Sequence, residues 1–354
     1  MNRTPDALYW KDLPDGRIEC ALCPRRCKLF DQQRGFCSVR VREGNRMVLA
    51  TYGRTSGFCV DPIEKKPLFH FLPGSSILSF GTAGCNLGCL FCQNWNLSKS
   101  KETDTAAEQA SPEEIAKAAK SARCESVAFT YNDPVIFHEY AIDTAQTCRE
   151  HGIKTVAVTA GYVSPEPRRE FYKWMDAVNV DLKGFTENFY KKYCRASLGP
   201  VLETLEYIKK ETKTWLEITT LLIPGLNDSE KELHDMSSWI VKTLGPDVPI
   251  HFTAFHPDYK MNGISPTPPE TLQKARTISR DHGIRYCYTG NVRNPDGEST
   301  FCHHCGKKII GRNWFKLTEW NLKDGSCRFC ETRCPGHFED GPGRQGDQGK
   351  FIPF

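Results

Sequence analysis

Apolar residues cluster in short solid runs through the middle of the chain. Seven runs are rich in β-branched and aromatic residues: ILSFGT (77–82), SVAFTY (126–131), KTVAVT (154–159), AVNVDL (177–182), WLEITTLLI (215–223), PIHFTAF (249–255) and RYCYTG (285–290). Runs that are apolar on both faces predict parallel strands covered by helices, because a sheet with one wet face would alternate. Their starts lie 23 to 49 residues apart, room for a helix and two loops each time. The intervening segments carry helix signals. SPEEIAKAAKSA opens with Ser111 as N-cap, Pro112 at the first helical position and Glu114 completing a capping box. Its Ile115, Ala118, Ala119 and Ala122 share one face. VIFHEYAIDTAQTCREHG and PPETLQKARTISRDHG each run into a glycine, Gly152 and Gly283, suited to the residue just past a helix C-terminus. Such units fold as a (β/α) barrel or an open doubly wound sheet, and both bind ligands at the C-terminal ends of their strands.

The pattern ends near residue 295, which sets the expected organisation. Residues 1–74 form a cysteine-rich module with a connecting segment, 75–295 the strand–helix core, 296–336 a second small cysteine-rich module, and 337–354 a Gly- and Pro-rich tail that is poorly ordered or extended. The chain has 354 residues, 39% of them hydrophobic, enough for a buried core. A net charge of +4 is too weak to imply nucleic acid by itself. MNRTPDALYWKDLPDG lacks the apolar run of a signal peptide, and no stretch has the length of a membrane span, so a cytoplasmic protein is expected.

In a reducing compartment the 17 cysteines read as metal ligands rather than disulfides, and most of them cluster. Cys85, Cys89 and Cys92 stand in GTAGCNLGCLFCQNWN, directly after the first strand run. A closed zinc site needs four ligands. A 4Fe–4S cluster normally takes four thiolates, so three leave one iron open to a substrate's amino and carboxylate groups. Gly81, Gly84 and Gly88 let the backbone approach such a cube closely.

This C-x3-C-x2-C loop resembles the radical S-adenosylmethionine (SAM) superfamily. The resemblance implies that SAM chelates the open iron and is cleaved reductively to methionine and a 5′-deoxyadenosyl radical. Phe91 matches the family's aromatic near adenine, although core packing explains it equally well. TYNDP (130–134) occupies the place of the motif that holds the SAM amino group. Asp133, helped by Asn132, is the expected acceptor, a plain Asn-Asp-Pro turn the alternative. Asp181 of VDLKG (180–184) could contact ribose, or form an exposed ion pair with Lys183. With DPIEKKPLFHFLPG (61–74) and GCNLGCLFCQNW (84–95), the chain is similar to the radical SAM member of the AmmeMemoRadiSam system, a group related to pyruvate formate-lyase activating enzymes. That likeness runs from about Cys20 to about Gly336 and implies a radical SAM partial (β/α)6-type TIM barrel. It also implies a low-potential donor, flavodoxin or ferredoxin, and a pathway shared with Memo-like and AMMECR-like proteins. PIEKKPL reads either as a solvated charged loop or as Lys65, Lys66 and His70 facing a substrate.

Two further cysteine groups flank the core. Cys20, Cys23, Cys27 and Cys37 follow C-x2-C-x3-C-x9-C, which closes either a zinc site or a second iron–sulfur cluster. Spacing does not separate these, and zinc is preferred because a structural knuckle needs no electron path to the core. Arg25 and Arg26 could pair with its charge. Cys302, Cys305, Cys327 and Cys330 form paired C-x2-C knuckles 21 residues apart, a zinc-ribbon signal. His303 and His304 are then spectators, and Cys334 an alternate ligand. Lys307, Lys308, Arg312, Lys316 and Trp314 offer a basic, aromatic face for nucleic acid, but the modest charge favours a stabilising clamp. The function expected is SAM cleavage with hydrogen abstraction from an unidentified substrate. The alternatives are a glycyl-radical-enzyme activase and a non-catalytic zinc or iron–sulfur scaffold that binds nucleic acid.

Overall fold

The seven predicted runs become seven parallel strands in chain order. A computed structural model describes residues 5–101, 108–343 and 350–352. An edge strand, β1 (Phe58–Pro62), precedes β2 (Ser76–Phe80). The chain then alternates through α1 (Pro112–Ser121), β3 (Ser126–Phe129), α2 (His138–Glu150), β4 (Lys154–Thr159), α3 (Pro165–Lys173) and β5 (Ala177–Asp181). It continues with α4 (Gly199–Glu211), β6 (Trp215–Leu222), α5 (Glu230–Leu244), β7 (Ile250–Ala254), α6 (Pro269–Asp281) and β8 (Cys287–Gly290). Each strand from β2 to β8 pairs with the next in parallel, for example Phe80 with Phe129 and Ala157 with Val178. The sheet stays open rather than closing on itself, a partial barrel.

Local chemistry explains the elements. Every residue of β2, β3 and β7 is buried, as solid apolar runs require. The capping box of α1 forms in full between Ser111 and Glu114. Gly152 and Gly283 both take positive φ, +72° and +100°, where a side chain would be strained.

The edge of the sheet was not legible. β1 joins β2 antiparallel from within the segment placed ahead of residue 75, and β9 (Lys350–Ile352) adds beyond it, pairing with β1. The tail is thus extended at Lys350–Ile352, and residues 344–349 and 353–354 lie outside the described residues. PIEKKPL is no solvated loop. Asp61 on β1 holds Lys65 at 2.8 Å and the buried Lys66 at 2.7 Å. His70 is fully enclosed, its two ring nitrogens 2.7 Å from the Pro335 carbonyl oxygen and 2.6 Å from the Tyr288 hydroxyl, so it faces no substrate.

The N-terminal module carries a three-stranded antiparallel sheet, Trp10–Asp12, Ile18–Cys20 and Lys28–Leu29, and a hairpin of Arg40–Glu43 with Arg46–Leu49. A buried ion pair, Arg40 to Glu139 at 2.9 Å, fastens it to α2. The C-terminal module carries a hairpin, Lys308–Asn313 with Lys316–Trp320. It packs Ile309, Ile310 and Leu322 against Phe69, Tyr286 and Tyr288. Arg312, expected on a basic face, is instead buried: it donates to the Phe69 carbonyl and the Thr300 hydroxyl, both at 2.8 Å, and sits 3.6 Å from Glu64. A guanidinium this deep needs several partners, and the fold supplies them.

Candidate active site

Parallel strands present all their C-terminal ends at one rim, and here that rim encloses a cavity of about 280 Å³. The loop after β2 contributes Cys85, Cys89 and Cys92 to it. Residues at or just past the ends of the six following strands add Asp133, Thr159, Asp181, Leu221, Thr253 and Asn291. The three cysteines, Phe91, Asn132, Asp133 and Asp181 therefore line one space, although nearly a hundred residues separate the first from the last.

Backbone packing holds the cysteine loop. Gly84 has φ +86°, and a β-carbon there would collide with the Cys37 carbonyl oxygen, so only glycine fits. Asn132 pins the same loop: its side-chain amide donates to the Gly84 carbonyl at 2.9 Å and to the Thr82 hydroxyl at 3.2 Å. The Leu87 amide donates to the Cys85 sulfur at 3.4 Å, and Cys92 lies 3.1 Å from the Ser98 hydroxyl. Burial, helped by the charge on Asp133, pushes the Cys85 thiol up to about 12.

Asp133 is buried and caps the helical turn after it. Its carboxylate accepts from the Val135 amide at 3.0 Å, the Thr159 hydroxyl at 3.0 Å and the Ala160 amide at 3.1 Å. Burial outweighs these donors and raises its carboxyl to about 6. Asp181 lies 2.9 Å from the Lys183 ammonium, and Lys183 is only 18% exposed. Burial pulls that ammonium down, but Asp181 and the Cys89 sulfur more than offset it and hold it protonated. The pair is part of the cavity wall rather than open surface. Phe91 is buried, its ring centroid 5.9 Å from that of Phe189, and one edge borders the cavity.

A family model for the radical SAM superfamily matches residues 80–236, a span that opens just before the cysteine loop. Uncharacterized protein MJ0808 of Methanocaldococcus jannaschii is 38% identical over 327 residues, which cover 92% of this chain and 97% of that one. The chain belongs to the radical SAM superfamily. Pyruvate formate-lyase 1-activating enzyme of Escherichia coli is 24% identical over 238 residues, covering 61% of this chain and 93% of that enzyme. Among solved structures, a radical SAM methyltransferase from Sphaerobacter thermophilus aligns at 16% identity with a TM-score of 0.49, covering 67% of this chain and 71% of that one.

The residues present fit the 4Fe–4S cluster and SAM that a radical SAM protein implies. Three thiols face one cavity, and an anionic and a cationic side chain flank it. Sequence reasoning missed Cys194, which stands outside every cysteine cluster of the chain. The Gly88 amide donates to the Cys194 carbonyl at 2.9 Å and the Leu90 amide to the Tyr193 carbonyl at 2.9 Å, which bring this distant segment under the cysteine loop. The Cys194 thiol is buried beneath that loop and, against burial, acts to lower the Cys89 pKa. No local pattern marks Cys194, because its partner is a hundred positions away.

The flanking cysteines behave differently from one another. Cys302 and Cys330 stand 3.6 Å apart, Cys305 and Cys327 3.7 Å apart, and all four sulfurs lie within 4.8 Å of one another. A tetrahedral ion bound at about 2.3 Å per sulfur needs sulfur–sulfur edges of about 3.8 Å. The site fits such an ion. His303 turns away, its ring nitrogen 2.8 Å from the Tyr286 hydroxyl, whereas His304 remains beside Cys330. Cys334 stands outside the quartet, 3.8 Å from both His70 and the Tyr286 hydroxyl, and is no alternate ligand. Cys20, Cys23, Cys27 and Cys37 converge on a cavity of their own, bordered by Arg25, Arg40 and Asn86.

Proposed function

We propose that this protein cleaves SAM reductively and directs the resulting radical at a hydrogen atom of a substrate held in the same cavity. The observation that supports this most directly is the meeting of Cys85, Cys89 and Cys92 with Asp133, Asp181 and Lys183 at the C-terminal rim of a parallel sheet. When bound, the cluster supplies the electron that breaks the SAM sulfonium. The protein's own residues do the rest. Asp133, whose three donors leave lone pairs free, accepts from the SAM ammonium. Asp181, steadied by Lys183, accepts from ribose hydroxyls. Phe91 offers the adenine an apolar edge.

In this reading the C-terminal quartet holds zinc and clamps the module to the core. Reduction comes from flavodoxin or ferredoxin, the protein is cytoplasmic, and its pathway partners are the Memo-like and AMMECR-like proteins of the AmmeMemoRadiSam system. The likeness to pyruvate formate-lyase 1-activating enzyme favours a second reading, activation of a partner protein by forming a glycyl radical. Anaerobic protein supplied with dithionite and SAM is expected to yield 5′-deoxyadenosine and methionine. Intact cluster without deoxyadenosine refutes both readings and leaves the scaffold. Deuterium carried into deoxyadenosine from a glycine-labelled protein selects the activase; from a labelled small molecule, it selects the first.

A further inference from the structure

Three cysteine sets occupy one chain, and they differ in how tightly their sulfurs gather. Among the described residues, only the C-terminal set brings three or more ligand atoms within 4.8 Å of one another. The active-site triad and the N-terminal quartet are both wider. Width has a chemical meaning. Around a single ion every sulfur is one bond from the same centre, which forces the short edges seen at the C-terminus. Around a cluster each sulfur binds a different iron, so the sulfurs stand farther apart.

The N-terminal four are wide without being scattered. All border one small cavity, and a β-carbon on Gly35 would lie 3.7 Å from the Cys37 sulfur and 3.8 Å from the Cys27 sulfur. Cys20-x2-Cys23-x3-Cys27 has the gaps of Cys85-x3-Cys89-x2-Cys92 in reverse order, with Cys37 as a fourth thiolate. The surroundings suit a buried anion. The Phe36 amide donates to Cys27 at 3.4 Å, and backbone amides of Leu22, Arg25 and Val39 face Cys20, Cys23 and Cys37. Arg40 also borders the cavity, 1% exposed, and its Nε finds no hydrogen-bond partner. A buried guanidinium N–H without a partner, on a residue that lines the same cavity as four thiols, suits added negative charge there.

We infer that Cys20, Cys23, Cys27 and Cys37 hold a second, fully cysteine-ligated 4Fe–4S cluster rather than zinc. It lies beside the first: the Cys37 carbonyl packs on Gly84, Cys85 follows, and Arg25 donates to the Asn86 carbonyl. The inference is independent of what happens to SAM.

The deciding protein is the full chain carrying Cys85→Ala, Cys89→Ala and Cys92→Ala, purified anaerobically after iron and sulfide reconstitution. About four iron and four acid-labile sulfide per chain should remain. Adding Cys23→Ser and Cys37→Ser to it should remove that sulfide. Loss of all sulfide from the triple variant, whether the quartet then holds zinc or nothing, overturns the inference. Should the triple variant not fold, the wild-type chain decides. Reduced protein should show two cluster signals in electron paramagnetic resonance with about eight iron per chain, and about four iron overturns the assignment. SAM should shift one signal and leave the other. A chain with eight iron and no shift refutes the proposed function alone.

Discussion

Single atoms decide how the cysteine loop is held. Gly84→Ala must both force a β-carbon into a carbonyl and occupy positive φ. A cost of about 2–5 kcal/mol is expected, read as a lower urea midpoint with unchanged slope. An unchanged midpoint would mean that the loop is free to move away from Cys37. Cys194 is buried beneath the cysteine loop and acts to lower the Cys89 pKa. Removing a polar S–H near a cluster-ligating sulfur destabilises the more negative, reduced cluster, so Cys194→Ala should lower its reduction potential. The loss of about 1.5–3 kcal/mol corresponds to roughly 60–120 mV at most. A spectroscopic redox titration checks this, and an unmoved potential assigns Cys194 to packing only.

At the scale of elements, one ion pair joins the N-terminal module to α2. Arg40 meets Glu139 through two nitrogens, at 2.9 and 3.0 Å, and the Glu139 carboxylate also takes the Leu8 amide at 2.7 Å. Glu139→Leu strands a buried guanidinium and should cost about 3–5 kcal/mol in denaturant unfolding. Arg40→Met with Glu139→Leu should recover most of that loss, because two apolar side chains need no partners. No recovery would show that Arg40 is held by other partners besides Glu139, the Leu8 carbonyl among them.

Across the whole molecule, His70 links the first crossing of the core to the C-terminal module. Burial lowers its pKa to about 4, against an opposing pull from Glu217, with Arg312 and His251 nearby reinforcing burial. The fold holds neutral imidazole, so its contribution is complete above the ordinary value near 6.5 and is lost as pH falls towards 4. Wild-type stability should drop by roughly 3 kcal/mol over that window relative to His70→Gln, measured by urea unfolding at several pH values. Parallel acid limbs for the two proteins would place the titration elsewhere. A chelator that strips the C-terminal quartet should loosen the same module, since its sulfurs otherwise crowd within 4.8 Å of each other. Hydrogen exchange in Lys308–Trp320 reports it.

The seven strands, their parallel direction and the rim bearing Cys85, Cys89 and Cys92 were legible in the chain, whereas the choice between a sequential partial barrel and a doubly wound order was not. The legible features rest on local physics: solid apolar runs, a capping box, and helix-length spacers that force parallel crossings. The rest depends on distant segments meeting. Lys66 and Arg312 read as exposed charges until Asp61 and the Phe69 carbonyl are brought to them, because burial of a charge is a property of its partners and not of its neighbours in sequence. Cys194 gains a role only under Cys89. Zinc and cluster spacing look alike along a chain, since C-x2-C fixes gaps in number and not sulfur–sulfur distances, and those distances exist only once the backbone has folded around them.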